Sequence, residues 1–288
     1  MGDYKYILIT ILGAAIVAIA QTAGKAALRD LHPVKFCALR FGVGIPFCYA
    51  IGVAETHKWV PELALKQYLM ISAIGLIGWG IGAVIFFWAM KKDSMHRVGT
   101  ISNSLSIWVV VMSVMFLGEK FFPAMIPVLI LLVIGAALLA PTAEGTKAWK
   151  PAIPVGLVIS IIWAISIVMT KVAVHNVPYA FFVAIKMAAT TVFLMMFYFF
   201  MPTKLTQGNL KLSTISALTL VVGDILLMVG VDGLPASIYS PIYATTIPFG
   251  FMFSIWFIKE RPVGRNWLGM LLIFASAAIC GYYGHGNN

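Results

Sequence analysis

Asp224 interrupts an apolar run, with Val221-Val222-Gly223 before it and Ile225-Leu226-Leu227 after it. A carboxylate at the centre of such a run costs about 2.5 to 3.5 kcal/mol to place in hydrocarbon, so it must face a wet cavity or a partner. That makes Asp224 a candidate proton carrier or counter-ion, and equally one arm of a structural ion pair. Two cations offer themselves as partners. Arg40 and Lys186 each lie a turn or two inside an apolar run, where either could hold a substrate carboxylate or snorkel to an interface.

Uncharged groups form a second set. Asn103, between Ser102 and Ser104, offers both donor and acceptor, and Gln21, Ser106, Ser240, Thr245 and Thr246 lie in similar settings; such groups bind solutes or fasten helices together. Trp79, Trp163, Tyr239 and Tyr243 could stack on an aromatic or cationic solute. Pro241 and Pro248 break backbone hydrogen bonding within one run and mark a bend about which a half-helix could gate. The series Gly75, Gly78, Gly80 and Gly82 invites close backbone approach.

No metal-ligand spacing, nucleotide-binding motif or catalytic constellation occurs, so neither enzyme, metal nor cofactor is expected. Cys37, Cys48 and Cys280 sit inside apolar runs as packing residues.

The elements that must position these groups follow from composition. Of 288 residues, 61% are hydrophobic and 10% charged, against about a quarter charged in soluble domains, and mean hydropathy is +0.97. The net charge of +10 resides in short gaps between apolar runs, as orientation signals rather than a nucleic-acid surface. A ruler of about 20 apolar residues per span finds ten helices, at 5–28, 33–54, 67–90, 97–117, 122–141, 151–173, 178–201, 212–232, 236–257 and 263–283. The first could also be taken for a signal peptide ending at Ala18-Ile19-Ala20, but the run continues to Lys25.

The two halves repeat one pattern. Lys25, Pro33 and Ala38-Leu39-Arg40 are followed later by Lys171, Pro178 and Ala184-Ile185-Lys186, with the same interval from lysine to the later cation. Leu117-Gly118-Glu119-Lys120 closes the fourth run as Ile258-Lys259-Glu260-Arg261 closes the ninth. Two five-helix units, 1–145 and 146–288, account for this, and since five is odd the second enters from the opposite side. The expected fold is therefore an all-α polytopic membrane protein of ten transmembrane helices in two inverted repeats.

On these residues the chain resembles the drug/metabolite transporter superfamily in its ten-helix form with two EamA-type repeats. The resemblance implies a carrier of a small organic solute, such as an amino acid or related metabolite, working by alternating access around a central cavity. A multi-pass protein of the plasma (inner) membrane, a monomer or weak homodimer, is expected, with protons as a candidate coupling ion through Asp224. One departure concerns the fourth helix, where relatives often carry a proline and this chain reads Ser102-Asn103-Ser104; that half is expected to bend differently.

Asp224, Asn103, Arg40 and Lys186 with the four aromatics are thus the candidate binding or coupling residues, and Pro241 and Pro248 the candidate gates. A channel-like facilitator or, less readily, an integral membrane enzyme are the rival classes. Arg29, Lys35, Lys91, Lys92, Arg97, Lys147, Lys150, Lys204, Lys211, Lys259, Arg261 and Arg265 follow odd-numbered helices; Lys5, Lys58, Lys66 and Lys120 lie on the other face. This bias places both termini outside, whereas the resemblance implies them inside.

Overall fold

In hydrocarbon every backbone polar group must be satisfied within the chain, so apolar runs of this length become helices. The computed structural model describes residues 2–93, 95–139, 151–201, 205–257 and 263–285, with side chains from residue 4 to 283 except 95–97. The division near 145 and the residues Lys147, Lys150, Lys204, Lys259, Glu260 and Arg261 lie outside the described residues.

Among the described residues ten helical elements run in order: α1 (Gly2–Ala27), α2 (Pro33–Thr56), α3 (Leu65–Lys92), α4 (Met95–Ser102 and Leu105–Leu117), α5 (Met125–Leu139), α6 (Ala152–Ala173), α7 (Tyr179–Tyr198), α8 (Gln207–Gly233), α9 (Ala236–Tyr243 and Thr246–Phe257) and α10 (Gly264–His285). Eight of them are long and apolar enough to cross a membrane unaided. Of the other two, α5 is short and α9 is interrupted. Among the described residues there is no strand.

Helix ends carry recognisable stops. His32 accepts from the Val34 amide through Nδ1 at 3.3 Å, with Pro33 as first residue of α2, where its missing N–H costs nothing. Gly118 ends α4 with φ of 67°, a left-handed stop that glycine adopts freely. The α3 helix contains a π-helical stretch, Leu76–Ala83, over the glycine series.

Packing follows the repeat. The α1 helix packs on α8 and α6 on α3, while α2 pairs with α7, α4 with α9 and α5 with α10. Exchanging the first repeat for the second maps this list onto itself, so the bundle has a two-fold relation between its halves. Through its long contact with α8, α1 is built into the bundle.

Close approach at these crossings depends on glycine. A Cβ added at Gly135 of α5 would meet the Gly269 carbonyl of α10 at 2.8 Å, and one at Gly269 would meet the Gly135 carbonyl at 2.7 Å. Gly13 and Gly223 are similarly reciprocal between α1 and α8. Where Gly75 passes α7, an added Cβ would lie 2.5 Å from the Lys186 carbonyl. Large apolar side chains such as Leu8, Val192, Met196, Trp256 and Leu271 are exposed on the outside, as a lipid-facing surface requires.

The fourth helix shows how its half bends without a proline. Despite its lack of proline, α4 breaks at Asn103-Ser104, as α9 breaks at Ala244-Thr245 between Pro241 and Pro248. The Asn103 side chain donates to the Gly99 carbonyl at 2.8 Å, a local bond that competes with continued helix. An amide thus stands in the first repeat where prolines flank the break in the second. At this level the broken helices cross, and Ser106 Oγ donates to the Ser240 carbonyl at 3.0 Å.

Candidate functional site

Between the halves lies a cavity of about 110 Å³, lined by residues of α1, α2, α3, α4, α6, α7, α8 and α9. These are four equivalent pairs of helices; among the described residues, those of α5 and α10, which pack on each other, contribute nothing. Three charged residues reach it: Arg40, Lys186 and Asp224.

Lys186 Nζ lies 2.7 Å from Asp224 Oδ2, with both side chains buried. The same ammonium stands over the Trp79 ring, 3.7 Å from its centroid, and Trp79 in turn stacks on Phe41 with centroids 4.8 Å apart and planes at 5°. Glycines make this possible, because the π-helical stretch around Trp79 lets α3 approach the α7 backbone. A buried pair of this kind gains little net stability over apolar packing, though breaking it is costly. Its presence is therefore better explained by position than by stability.

Arg40 occupies the equivalent place in the first repeat, and its surroundings differ. It is 3% exposed, and its Nε has no hydrogen-bond partner. Three rings surround its guanidinium carbon: Phe87 at 5.3 Å, Phe36 at 5.8 Å and Phe41 at 6.0 Å to the centroids. Asp224 and Tyr243 are near enough to act on it electrostatically, but Asp224 gives its contact to Lys186.

The remaining predicted residues divide between two cavities. Trp163, Tyr239 and Tyr243 line the central one. Trp163 Nε1 donates to the Gly78 carbonyl at 3.0 Å, within the π-helical stretch, and the Trp163 ring tilts against Phe86 at 4.9 Å. Tyr239 and Tyr243 stack at 5.9 Å on the first half of α9.

Asn103 is elsewhere. It borders a smaller space of about 20 Å³ with Gly99, Thr100, Thr246 and Gly250, room for about one water. Gln21 and Phe86 line both spaces, so Asn103 stands one residue removed from the central cavity. The prolines flank that arrangement: Pro241 lies within the first half of α9, and Pro248 in the first turn of the second half.

Sequence reasoning missed the aromatic setting of Arg40. Phe36 and Phe41 were readable in principle, since they flank Arg40 in the sequence and Phe36 precedes it by one helical turn. Phe87 comes from α3 and had no local signal. Lys25 and Lys171, which end-of-helix position marks as snorkelling anchors, do something more specific. Lys25 Nζ donates to the carbonyls of Met90 and, at 3.0 Å, Asp93; Lys171 donates to those of Val231 and Asp232, both at 2.9 Å. Each caps the C-terminal end of the third helix of its own repeat, where orphan carbonyls and the helix dipole favour a cation.

Glu119 fastens a helix. Its carboxylate accepts from the Ala236 amide at 2.6 Å and the Ser237 amide at 2.9 Å, and from the Ser237 hydroxyl. It thereby caps α9 from the end of α4. Among the described residues no group of three or more His, Cys, Asp or Glu side chains could hold a metal ion.

An all-helical doubled bundle around a charged internal cavity is the architecture of a polytopic membrane transporter. Residues 4–140 and again 150–282 match the profile of the EamA-like transporter family, and the chain belongs to that family. A solved structure titled only "Crystal structure of protein" superposes with a TM-score of 0.76 at 16% identity, covering 97% of this chain and 98% of that one; the likeness shows a shared fold. Among curated proteins no match is found.

Proposed function

We propose that the chain is a secondary carrier that moves a small organic solute across the plasma (inner) membrane by alternating access, its units 1–145 and 146–288 rocking about the central cavity. The observation that carries this reading is the placement of the two helix breaks. Asn103-Ser104 and Ala244-Thr245 interrupt equivalent helices of opposite repeats where these cross beside the cavity, so each repeat owns one half-helix able to swing without unfolding the rest. Pro241 and Pro248 act as gating bends on α9.

Within the cavity, Arg40, Lys186 and Asp224 are the binding and coupling groups, Trp79, Trp163, Tyr239 and Tyr243 form the wall, and Asn103 supports the break. Asp224 is the proton-coupling candidate, since protonating it would release Lys186. A complete cavity within one chain makes the monomer the working unit, and a gradient of solute or protons drives it.

Counterflow in proteoliposomes tests this. A carrier loaded with unlabelled solute inside accelerates uptake of labelled solute from outside; a channel shows flux independent of the opposite side. An Asp224→Asn variant is expected to lose the pH dependence of exchange.

A further inference from the structure

We infer that the solute is a small organic monoanion, a carboxylate on a single ring or short apolar chain, whose carboxylate is received by Arg40. The inference rests on the carrier reading for its transport role, though its binding claim stands on the cavity alone.

Charge in the cavity does not balance within the protein. Arg40 and Lys186 supply two positive charges and Asp224 one negative, and the ion pair consumes Lys186 and Asp224. What remains is the guanidinium of Arg40, 3% exposed and with Nε unpartnered. Its three phenylalanine rings stabilise a cation through their faces, but they accept no in-plane N–H bond. A planar fork of donors in a low-dielectric site is matched by a carboxylate, which accepts two parallel bonds from it.

The repeat says why the anion must come from outside. Lys186 on α7 finds Asp224 on α8. The first-repeat counterparts are Arg40 on α2 and the stretch Leu76–Ala83 of α3, which contains no acid. Where the second repeat carries its own carboxylate, the first leaves that part to a ligand. The wall suits the rest of such a molecule: Phe41, Phe86, Phe87 and Trp163 border the cavity, and its volume of about 110 Å³, about three-quarters of the roughly 150 Å³ of an apolar cavity that takes benzene, limits the apolar body to a small one that the walls must give slightly to admit. One net positive charge calls for one negative charge, so a cation, a neutral body and a dianion are each poorer matches.

The test is thermal shift on the detergent-purified full chain at constant ionic strength, with benzoate, benzamide and benzylamine as isosteric probes and hexanoate as the short-chain carboxylate. A ligand of the folded state raises apparent stability with concentration. Benzoate or hexanoate should do so while benzamide and benzylamine do not, and Arg40→Gln should weaken carboxylate binding by about 10- to 100-fold. The probe panel on the unaltered protein decides the matter even if the variant fails to fold. Benzamide or benzylamine matching the carboxylates, no carboxylate binding at all, or undiminished binding in a folded Arg40→Gln protein would each overturn the inference. Benzoate that binds yet shows no counterflow would remove the carrier reading and leave the anion site; counterflow of an amine with no carboxylate binding would do the reverse.

Discussion

Arg40 and Lys186 stand at the same point of two copies of one unit, and their environments have diverged into a free cation and a paired one. Both were legible in the sequence, as was Asp224, because a charge inside an apolar run is expensive and so conspicuous. Which cation takes the carboxylate was not legible, since it depends on how α7 and α8 meet. The pairing yields a prediction about stability. Lys186→Met should strand a buried carboxylate and cost about 3 to 5 kcal/mol, seen as a large fall in melting temperature. Adding Asp224→Asn should recover a substantial part of it, and a double-mutant cycle showing additive losses would refute the pair.

Helix existence and order were readable from apolar run lengths, and most ends fall within a few residues of expectation. What escaped was the use made of the ends and crossings. Lys25, Lys171 and Glu119 each serve a helix far away in sequence, and no local pattern states which one. The crossings give a sharp test. Gly135→Val or Gly269→Val should push α5 from α10 and lower the melting temperature by several degrees, as overpacking costs about 1 to 3 kcal/mol. Gly99→Ala, where an added Cβ meets nothing within 4 Å, should be neutral or slightly stabilising.

The cap of α2 predicts a pH effect. His32 accepts a hydrogen bond at Nδ1, which needs an unprotonated nitrogen, and burial with the nearby Lys91 and Lys35 holds it below its ordinary value of 6.5. A group depressed in the folded state contributes stability that is present above its unfolded value and lost as pH falls through the folded one. Melting temperature should therefore drop as pH falls below about 6.5, and His32→Gln should flatten that part of the profile. An unchanged slope in the variant would remove His32 from the account.

At the scale of the whole molecule, the inverted duplication was legible because lysine, proline and cation recur at one interval, and the packing list maps onto itself when the halves are exchanged. The charge bias predicts one membrane orientation, with both termini outside, against the termini-inside expectation of the resemblance. Arg29, Lys35, Lys91 and Lys92 lie at connections of one face against Lys58, Lys66 and Lys120 at those of the other, and the more basic short connections stay in the cytoplasm. The connection after α1 should then be cytoplasmic and the equivalent one after α6 external. Single cysteines at Asp30 and His175, both exposed positions, read this out with a membrane-impermeant maleimide on intact cells. The native Cys37, Cys48 and Cys280 are buried, so they should stay silent. Labelling is expected at 175 and, only after the membrane is opened, at 30. The reverse pattern would keep the inverted architecture and discard the charge rule for this chain, whereas labelling of both positions from one side would break the architecture itself, and with it the rocking of one repeat against the other.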